Sequence, residues 1–126
     1  MRGARVGVDL VDVAGFEARF AARDDALAAL FTDAELTYCR RQRRPWPHLA
    51  ARFAAKEALF KALRTGVTGA LQWRDIEVHR DAAGTPSLTV GGATGEALRA
   101  RGLAPASVSL SHTATHAVAV VLLTPE

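Results

Sequence analysis

The amino-acid sequence predicts one α+β domain in which a small antiparallel sheet accompanies a long central helix. Residues Leu49 to Leu63 contain no glycine or proline and are rich in alanine and leucine, which predicts the longest helix of the chain. Residues Arg5 to Val11 alternate between two faces with the period of a strand. Strand-like segments in the middle and at the C terminus come in pairs, which predicts two hairpins. With 126 residues the chain has the size of a single domain, residues 1–126.

Short helices are predicted between the first strand and the long helix. Apolar residues at helical spacing predict one helix from Val13 to about Ala22 and a shorter one from Ala26 to Leu30. Thr32 and Glu35 have the spacing of a capping box, so a third helix is expected from Thr32 to about Arg40.

The long helix is expected to lie between two irregular segments. The two prolines of a basic loop, Arg40 to Pro47, are expected to keep that loop out of the helix, so that the helix begins near Leu49. Gly66 and Gly69 predict a turn region after it. The remaining predicted elements are strands Ile76 to Arg80 and Pro86 to Val90, a helix from Thr94 to Arg101, and strands Ser107 to His112 and His116 to Leu123.

Composition limits the location and the partners of the protein. The formal net charge is +3, with fourteen arginines and two lysines, so the expected partners are phosphates, nucleic acid or an acidic protein. The longest nearly apolar run, Ala117 to Leu123, is far shorter than the roughly 20 residues that span a membrane. Asp9 and Asp12 interrupt any secretory signal core, so we predict a cytoplasmic protein without a membrane span. A single cysteine, Cys39, excludes an internal disulfide and a thiolate metal cluster.

Asp9 is unusual because it lies within a short apolar strand, where a carboxylate needs solvent or a charged partner. One interpretation is structural: the strand ends there and Asp9, or else Asp12, caps a turn or a helix start. The alternative is a functional carboxylate. The position alone leaves both open.

Charged side chains also lie on or beside the apolar face of the long helix. Phe53 and Phe60 define that face, with Lys56 inside it and Glu57 at its edge. One interpretation is that Glu57 and Lys61 form a surface pair worth ~0.3–0.5 kcal/mol while Lys56 extends its ammonium to solvent. The other is that the face borders a cleft, where Glu57 holds a hard cation and Lys61 binds an anion.

The common hydrolytic and zinc chemistries have no support in the sequence. Ser111 and His112 end a predicted strand, but neighbouring strand residues point to opposite faces, which is poor geometry for a catalytic pair. The chain has no G-x-S-x-G turn, Walker A loop or H-E-x-x-H motif. The four histidines also lack the spacing of zinc ligands.

Five sequence blocks, each weak alone, are specific in combination. They are Gly7 to Val11, Phe31 to Leu36 with Cys39, Arg52 to Leu63, Trp73 to Val78, and Ser109 to Thr113. Together they resemble the holo-acyl-carrier-protein synthase family of 4'-phosphopantetheinyl transferases over nearly the whole chain. The most specific part of the resemblance is the block from Ala54 to Leu63 and its distance from Asp9.

The resemblance implies a reaction and its central residues. The enzyme would transfer 4'-phosphopantetheine from coenzyme A to a serine of an apo-acyl carrier protein, giving the holo-carrier and adenosine 3',5'-bisphosphate. Asp9 and Glu57 match the metal-binding acids of the family, and the implied metal is Mg²⁺, which one or two carboxylates and substrate phosphates usually hold. Glu57 would also take the serine proton, and Lys61 would lie on the pyrophosphate.

The resemblance further implies coenzyme A contacts and an oligomer. Besides Lys61, the expected contacts are Arg43, Arg44, Arg52, Ser111 and His112, with the loop arginines at the 3'-phosphate. The acidic carrier protein is the expected macromolecular partner, and a homotrimer with active sites between chains is the expected assembly. The strand Ala117 to Leu123 and the face carrying Val108 and Leu110 agree with this expectation, because they are more apolar than one thin sheet needs.

One departure from the family pattern concerns the carrier. Gly15 occupies the position where a carrier-docking arginine is expected, and Arg19 or Arg23 could compensate. The sequence leaves open whether the carrier serves fatty acid, polyketide or peptide synthesis.

Two other functions are compatible with parts of the sequence. The cluster Arg40 to Arg44 beside Trp46 suggests nucleic-acid binding, which the scattered acids and the lack of interleaved aromatic residues disfavour, so no nucleic acid partner is predicted. A catalytically silent form is disfavoured because Asp9, Glu57 and Lys61 are all retained.

Overall fold

The computed structural model describes residues 3–64 and 71–126. Within them one strand is followed by four helices, a hairpin, a fifth helix and a second pair of strands, an α+β arrangement as predicted. The elements are β1 Arg5–Asp12, α1 Val13–Phe20, α2 Asp24–Leu30, α3 Asp33–Arg40, α4 Pro45–Leu63, a 3₁₀ turn Trp73–Asp75, β2 Ile76–Arg80, β3 Pro86–Val90, α5 Gly92–Ala100, β4 Leu103–His112 and β5 His116–Pro125. The turn predicted at Gly66 and Gly69 lies outside the described residues. No helix of the described part is long and apolar enough to cross a membrane.

A three-stranded antiparallel sheet in the order β1-β5-β4 forms the centre of the fold, and β2 and β3 pair as a separate hairpin. Alternate residues of β5 from Ala117 to Leu123 are buried against α4, while Val120 on the opposite face is exposed. The long helix therefore covers one face of this sheet. Val6, Val8 and Leu10 of β1 extend the uncovered face.

Gly7 lets β1 lie directly against the backbone of α4. A Cβ atom at this position would be 1.8 Å from the carbonyl oxygen of Ala58 and 2.8 Å from the amide nitrogen of Ala62. Both of those atoms belong to the helix backbone, which cannot yield as a side chain can. Gly7, which faces Ala58 and Ala62, therefore allows a short separation between β1 and α4. The position of Asp9, two residues later on the same strand, depends on this separation.

A buried ion pair joins α3 to α4. Lys56 Nζ lies 2.6 Å from Glu35 Oε1 and also donates to the carbonyl oxygens of Leu30, at 2.7 Å, and Trp73, at 3.2 Å. Both side chains of the pair are fully buried. The interpretation in which Lys56 reaches solvent is therefore wrong: the ammonium turns inward, where three acceptors replace its hydration.

Two element boundaries differ from the sequence-based prediction by four residues, and the other differences are of one or two residues. Helix α4 begins at Pro45 rather than near Leu49, because proline is well suited to the first turn of a helix, where its missing N–H has no partner to lose. Strand β4 begins at Leu103 rather than Ser107, and its register with β5 shifts between Pro105 and Ser107. Such an irregularity accommodates a proline inside a paired strand.

Candidate active site

A carboxylate from β1 and a charged face of α4 meet at one place. Asp9 Oδ1 lies 2.8 Å from Lys61 Nζ, and the Asp9 side chain is only 15% exposed, whereas that of Lys61 is 59% exposed. Glu57 lies one turn before Lys61 on the same helix face. The strand and the helix thus bring Asp9 into contact with Lys61, 52 positions later, on the helix face that also carries Glu57. Asp9, Glu57 and Lys61 are called the acidic cluster below.

Asp12, not Asp9, has the capping role. Asp12 is the N-cap of α1, and its Oδ2 accepts the Gly15 N–H at 2.7 Å. The strand continues through Asp9 to Asp12. The capping interpretation was therefore wrong for Asp9, whose carboxylate is instead held beside a cation.

The predicted surface pair between Glu57 and Lys61 is replaced by two other contacts. Lys61 forms its salt bridge with Asp9, and Glu57 Oε2 accepts the indole N–H of Trp73 at 3.1 Å. Both carboxylates therefore have neighbours that fix their orientation.

Asp9 and Glu57 offer carboxylate oxygens, the kind of donor that Mg²⁺ prefers. Among the described residues, no three His, Cys, Asp or Glu side chains are close enough together to hold a metal by themselves. Mg²⁺ does not need such a cage, because it keeps several waters and is usually held by one or two carboxylates plus phosphate oxygens. Asp9 and Glu57 supply two carboxylates of that kind.

A second candidate region lies where the α4 start meets the β4–β5 turn. It is a cleft of about 430 Å³ lined by Gln42, Arg43, Arg44, Pro47, His48, His112, Thr113 and Ala114. The rings of His48 and His112 pack edge to face with their centres 4.8 Å apart. Two arginines beside two imidazoles make this cleft suitable for phosphate groups.

His48 was missed as a candidate by sequence reasoning, which weighed it only as a zinc ligand. Partial burial lowers the pKa of His48, and the neighbouring His112 and the charges of Arg52 and Arg80 lower it further. At neutral pH the His48 ring is therefore uncharged and can donate or accept a hydrogen bond. Its place directly after the basic loop, Arg40 to Pro47, is the signal that could have found it.

Arg52 lies in the interior rather than at the rim of this cleft. It is 1% exposed, its guanidinium carbon lies 4.2 Å from the centre of the Tyr38 ring, and its Nε has no partner among the described residues. Cys39 is its buried neighbour, and burial raises the pKa of that thiol to about 11. In the single chain Arg52 therefore has almost no exposed surface for the coenzyme A contact expected of it, and its charge contributes to the lowered pKa of His48.

Ser111 faces away from Asp9. It pairs with Val118 on the face of the sheet opposite α4, whereas Asp9 lies on the α4 side. Along α4, His48 of the cleft precedes Glu57 by about 14 Å at about 1.5 Å per residue. The chain thus assembles Asp9, Glu57 and Lys61 in one place, and Arg43, Arg44 and His112 in another.

Comparison with known proteins identifies the family. The family model ACPS, described as the 4'-phosphopantetheinyl transferase superfamily, matches residues 5–121. The chain therefore belongs to the 4'-phosphopantetheinyl transferase superfamily.

Within it, the relatives are holo-acyl-carrier-protein synthases. The holo-[acyl-carrier-protein] synthase of Clavibacter sepedonicus is 49% identical over 118 residues, which cover 93% of this chain and 92% of that relative. The crystal structure of the synthase from Neisseria meningitidis is 31% identical, with a TM-score of 0.81 over 97% of this chain and 98% of that one. The ACPS–CoA complex from Chronobacterium ammoniagenes is 29% identical, with a TM-score of 0.85 over 98% of each chain. The predicted family, fold class and enzyme class, holo-[acyl-carrier-protein] synthase, are confirmed.

Proposed function

We propose that this protein, acting as one domain of residues 1–126, transfers 4'-phosphopantetheine from coenzyme A to a serine of an apo-acyl carrier protein. The products would be the holo-carrier and adenosine 3',5'-bisphosphate, and the reaction would depend on Mg²⁺. The observation that supports this most is the 2.8 Å contact of Lys61 with Asp9, because it brings a strand carboxylate to the helix face of Glu57. The CoA bound to the Chronobacterium ammoniagenes relative supports coenzyme A as a substrate here.

In this proposal each residue of the cluster has one task. Asp9 and Glu57 would hold Mg²⁺, which supplies positive charge at the phosphate under attack. Glu57, directly or through a water molecule, accepts the proton of the carrier serine. Lys61, whose side chain is more than half exposed, places its ammonium on the pyrophosphate and stabilises the departing bisphosphate.

The cleft at the start of α4 is proposed to bind the nucleotide end of coenzyme A. Arg43 and Arg44 are suited to the 3'-phosphate because guanidinium groups bind phosphate oxygens in pairs. His112, which lines the cleft, would lie near the remaining phosphates, with His48 supporting its ring. Ser111 points to the other face of the sheet and would reach the phosphates of a coenzyme A molecule bound to a neighbouring copy.

The transfer is tested by incubating the protein with coenzyme A, MgCl₂ and a panel of apo-carriers, followed by mass spectrometry of each carrier. The expected result is a gain of one phosphopantetheine group on at least one carrier, and none on a matched carrier whose acceptor serine is alanine. A panel of fatty acid, polyketide and peptide carriers also identifies the pathway. If every carrier keeps its apo mass, the proposed function is wrong.

We further infer a homotrimer with active sites between chains. Val6, Val8, Leu10 and Val120 are 66, 54, 65 and 39% exposed and lie on the sheet face opposite α4. A contiguous apolar face of this kind is costly in water unless another surface covers it. Val120 belongs to the strand Ala117 to Leu123, one part of the predicted contact, whereas Val108 and Leu110, the other part, pack against the internal core.

The position of Ser111 supports the same arrangement. Ser111 lies on this apolar face, on the side of the sheet opposite Asp9. In one chain a phosphate bound at Asp9 is therefore separated from Ser111 by the sheet. A second copy that binds the apolar face can instead place its own Asp9 beside Ser111 of the first copy. A shared site would thus use the apolar face as the contact between copies.

Light scattering of the purified protein is expected to give three times the 13.4 kDa mass of the chain. Val8→Lys should convert it to an inactive monomer, because a charge would be buried in the contact. Thr89→Lys, at an exposed strand position outside the apolar face, should leave the trimer intact.

The shared site itself is tested by mixing two inactive variants, Glu57→Gln and Arg44→Ala, and letting them co-assemble. The mixture should regain about a quarter of wild-type activity, because each site draws one half from each of two chains and about one site in four then receives two intact halves. A fully active monomer would contradict the shared site.

The acidic carrier is proposed to dock on the exposed side of α1 in the cytoplasm. A side chain at Gly15 would bring its Cβ within 2.9 Å of the capping Asp12 carboxylate, which explains why the expected arginine is poorly accommodated there. Arg19, one turn later, and Arg23 offer the positive charge instead.

A further inference from the structure

Trp73 makes a contact with Glu57 that no role described so far uses. The indole Nε1–H donates to Glu57 Oε2 at 3.1 Å in a partly buried setting. The two residues lie 16 positions apart, one on the 3₁₀ turn before β2 and the other on α4. Glu57 is the residue to which the proposed function gives two tasks, so the group that fixes its carboxylate matters for both.

The turn that carries Trp73 is itself held from two directions, and its indole ring packs on Phe53. On the α4 side, the buried Lys56 ammonium donates to the Trp73 carbonyl oxygen at 3.2 Å, and the Phe53 ring packs on the indole with a centre-to-centre distance of 6.3 Å. On the other side, Asp75 Oδ2 accepts the Thr94 hydroxyl at 2.8 Å, and the Asp75 carbonyl accepts the Gly91 N–H at 2.8 Å. The turn that carries Trp73 is therefore tied to both α4 and the start of α5.

A rigid donor of this kind restricts the carboxylate to one orientation. A glutamate side chain has several rotamers of similar energy, and freezing them costs free energy at each binding event. The indole N–H has one direction, set by a ring that is packed and anchored, so it selects one rotamer before any ligand arrives. Hydrogen bonds to metal-ligating carboxylates usually have this orienting effect.

We propose that Trp73 is a positioning residue for Glu57. It uses one lone pair of Oε2 to hold the carboxylate plane, so that the carboxylate faces Asp9 and the incoming serine in a fixed orientation. This inference rests on the proposed function for its effect on transfer, but the contact itself is independent of any activity.

The contact is tested by NMR on the full chain. The sequence has two tryptophans, so the two indole N–H resonances are assigned with Trp46→Phe and Trp73→Phe. Glu57→Ala should move the Trp73 indole proton upfield and leave that of Trp46, which packs on Phe16, in place. Equal or absent shifts of the two resonances would overturn the proposed contact.

The functional effect is tested with Trp73→Phe, which removes the N–H and keeps a ring against Phe53. The midpoint of a MgCl₂ titration in the presence of coenzyme A, followed by calorimetry, should rise about 10-fold or more. kcat should fall about 10- to 100-fold with the carrier KM unchanged. Trp46→Phe, which removes an indole N–H remote from Glu57, should leave both values near wild type.

The outcomes separate this inference from the proposed function. If the wild type modifies a carrier but Trp73→Phe matches it in magnesium midpoint and kcat, the positioning role is wrong and the proposed function stands. If the wild type modifies no carrier, the proposed function fails, while the indole resonances and the magnesium titration still decide the role of Trp73.

Discussion

Glu57→Gln is expected to lower kcat/KM for carrier modification by about 10²- to 10⁴-fold, because glutamine keeps the size of the side chain but cannot take the serine proton or offer a charged ligand. Asp9→Asn is expected to lose at least about 100-fold by removing the second charged ligand. Neither change should unfold the protein. The partner of Asp9, Lys61, is 59% exposed, and ion pairs open to solvent stabilise by only ~0–1 kcal/mol. The amide oxygen of a glutamine at position 57 can still accept the Trp73 indole N–H. Steady-state kinetics with a mass-spectrometric readout measures both.

Two controls accompany these variants. The first tests whether losing any carboxylate lowers activity, and the second tests whether activity depends on a divalent cation. Glu96→Gln, an exposed carboxylate on α5, should leave kcat/KM unchanged. Chelation of divalent cations should reduce the wild type to the level of the Glu57 variant, and added MgCl₂ should restore it. Should either site variant keep most of its activity at low magnesium, Asp9 and Glu57 are not the metal ligands.

The elements of the fold were predictable because each has a local cause. Alternation marks β1, and a run rich in alanine and leucine without glycine or proline marks α4. The capping box of Thr32 and Glu35 marks the start of α3, where both of its hydrogen bonds are present. The boundaries were less predictable. Pro45 is compatible both with a loop and with the first turn of a helix, and only packing of the turn decides between them.

For the candidate site, the sequence indicates which types of residue take part but not which of them meet in the folded chain. Asp9 and Glu57 were found through their resemblance to a family, since the residues alone left capping and surface pairing open. What selects between those interpretations is tertiary: Gly7 allows β1 to approach α4, and that approach makes Asp9, rather than Glu57, the partner of Lys61. No local pattern specifies which residue meets another across 52 positions.

The partners of charged residues on α4 cannot be predicted from the sequence for the same reason. Lys56 meets Glu35, 21 positions earlier, and Glu57 meets Trp73, 16 positions later. A lysine within an apolar helical stripe predicts either a long side chain reaching water or an internal ion pair, and the helix pattern is identical in the two cases.

Replacing the two lysines of the chain is therefore expected to have opposite effects: loss of Lys56 should lower stability, and loss of Lys61 should lower turnover. Lys56→Met should lower the free energy of unfolding by about 3–5 kcal/mol, because it leaves the fully buried Glu35 carboxylate without its counter-ion. At this chain length that corresponds to a fall in Tm of roughly 10–20 °C. Lys61→Ala should change Tm by only a few degrees but lower kcat about 100-fold, since its ammonium is proposed to act on the pyrophosphate. Thermal denaturation and kinetics on the same preparations measure the contrast.

A double variant shows whether Lys56 matters as a charge or as the centre of a hydrogen-bond network. Glu35→Leu with Lys56→Met removes both charges, and buried ion pairs replaced in this way often recover the lost stability. Here recovery should be partial, because Glu35 also accepts the N–H groups of Thr32 and Val78, both at 2.9 Å, and leucine leaves those donors unpaired. Full recovery of Tm would mean that the pair contributes charge compensation alone. If Lys56→Met instead keeps the wild-type Tm and loses turnover while Lys61→Ala stays active, the two lysines have the reverse of the roles assigned to them.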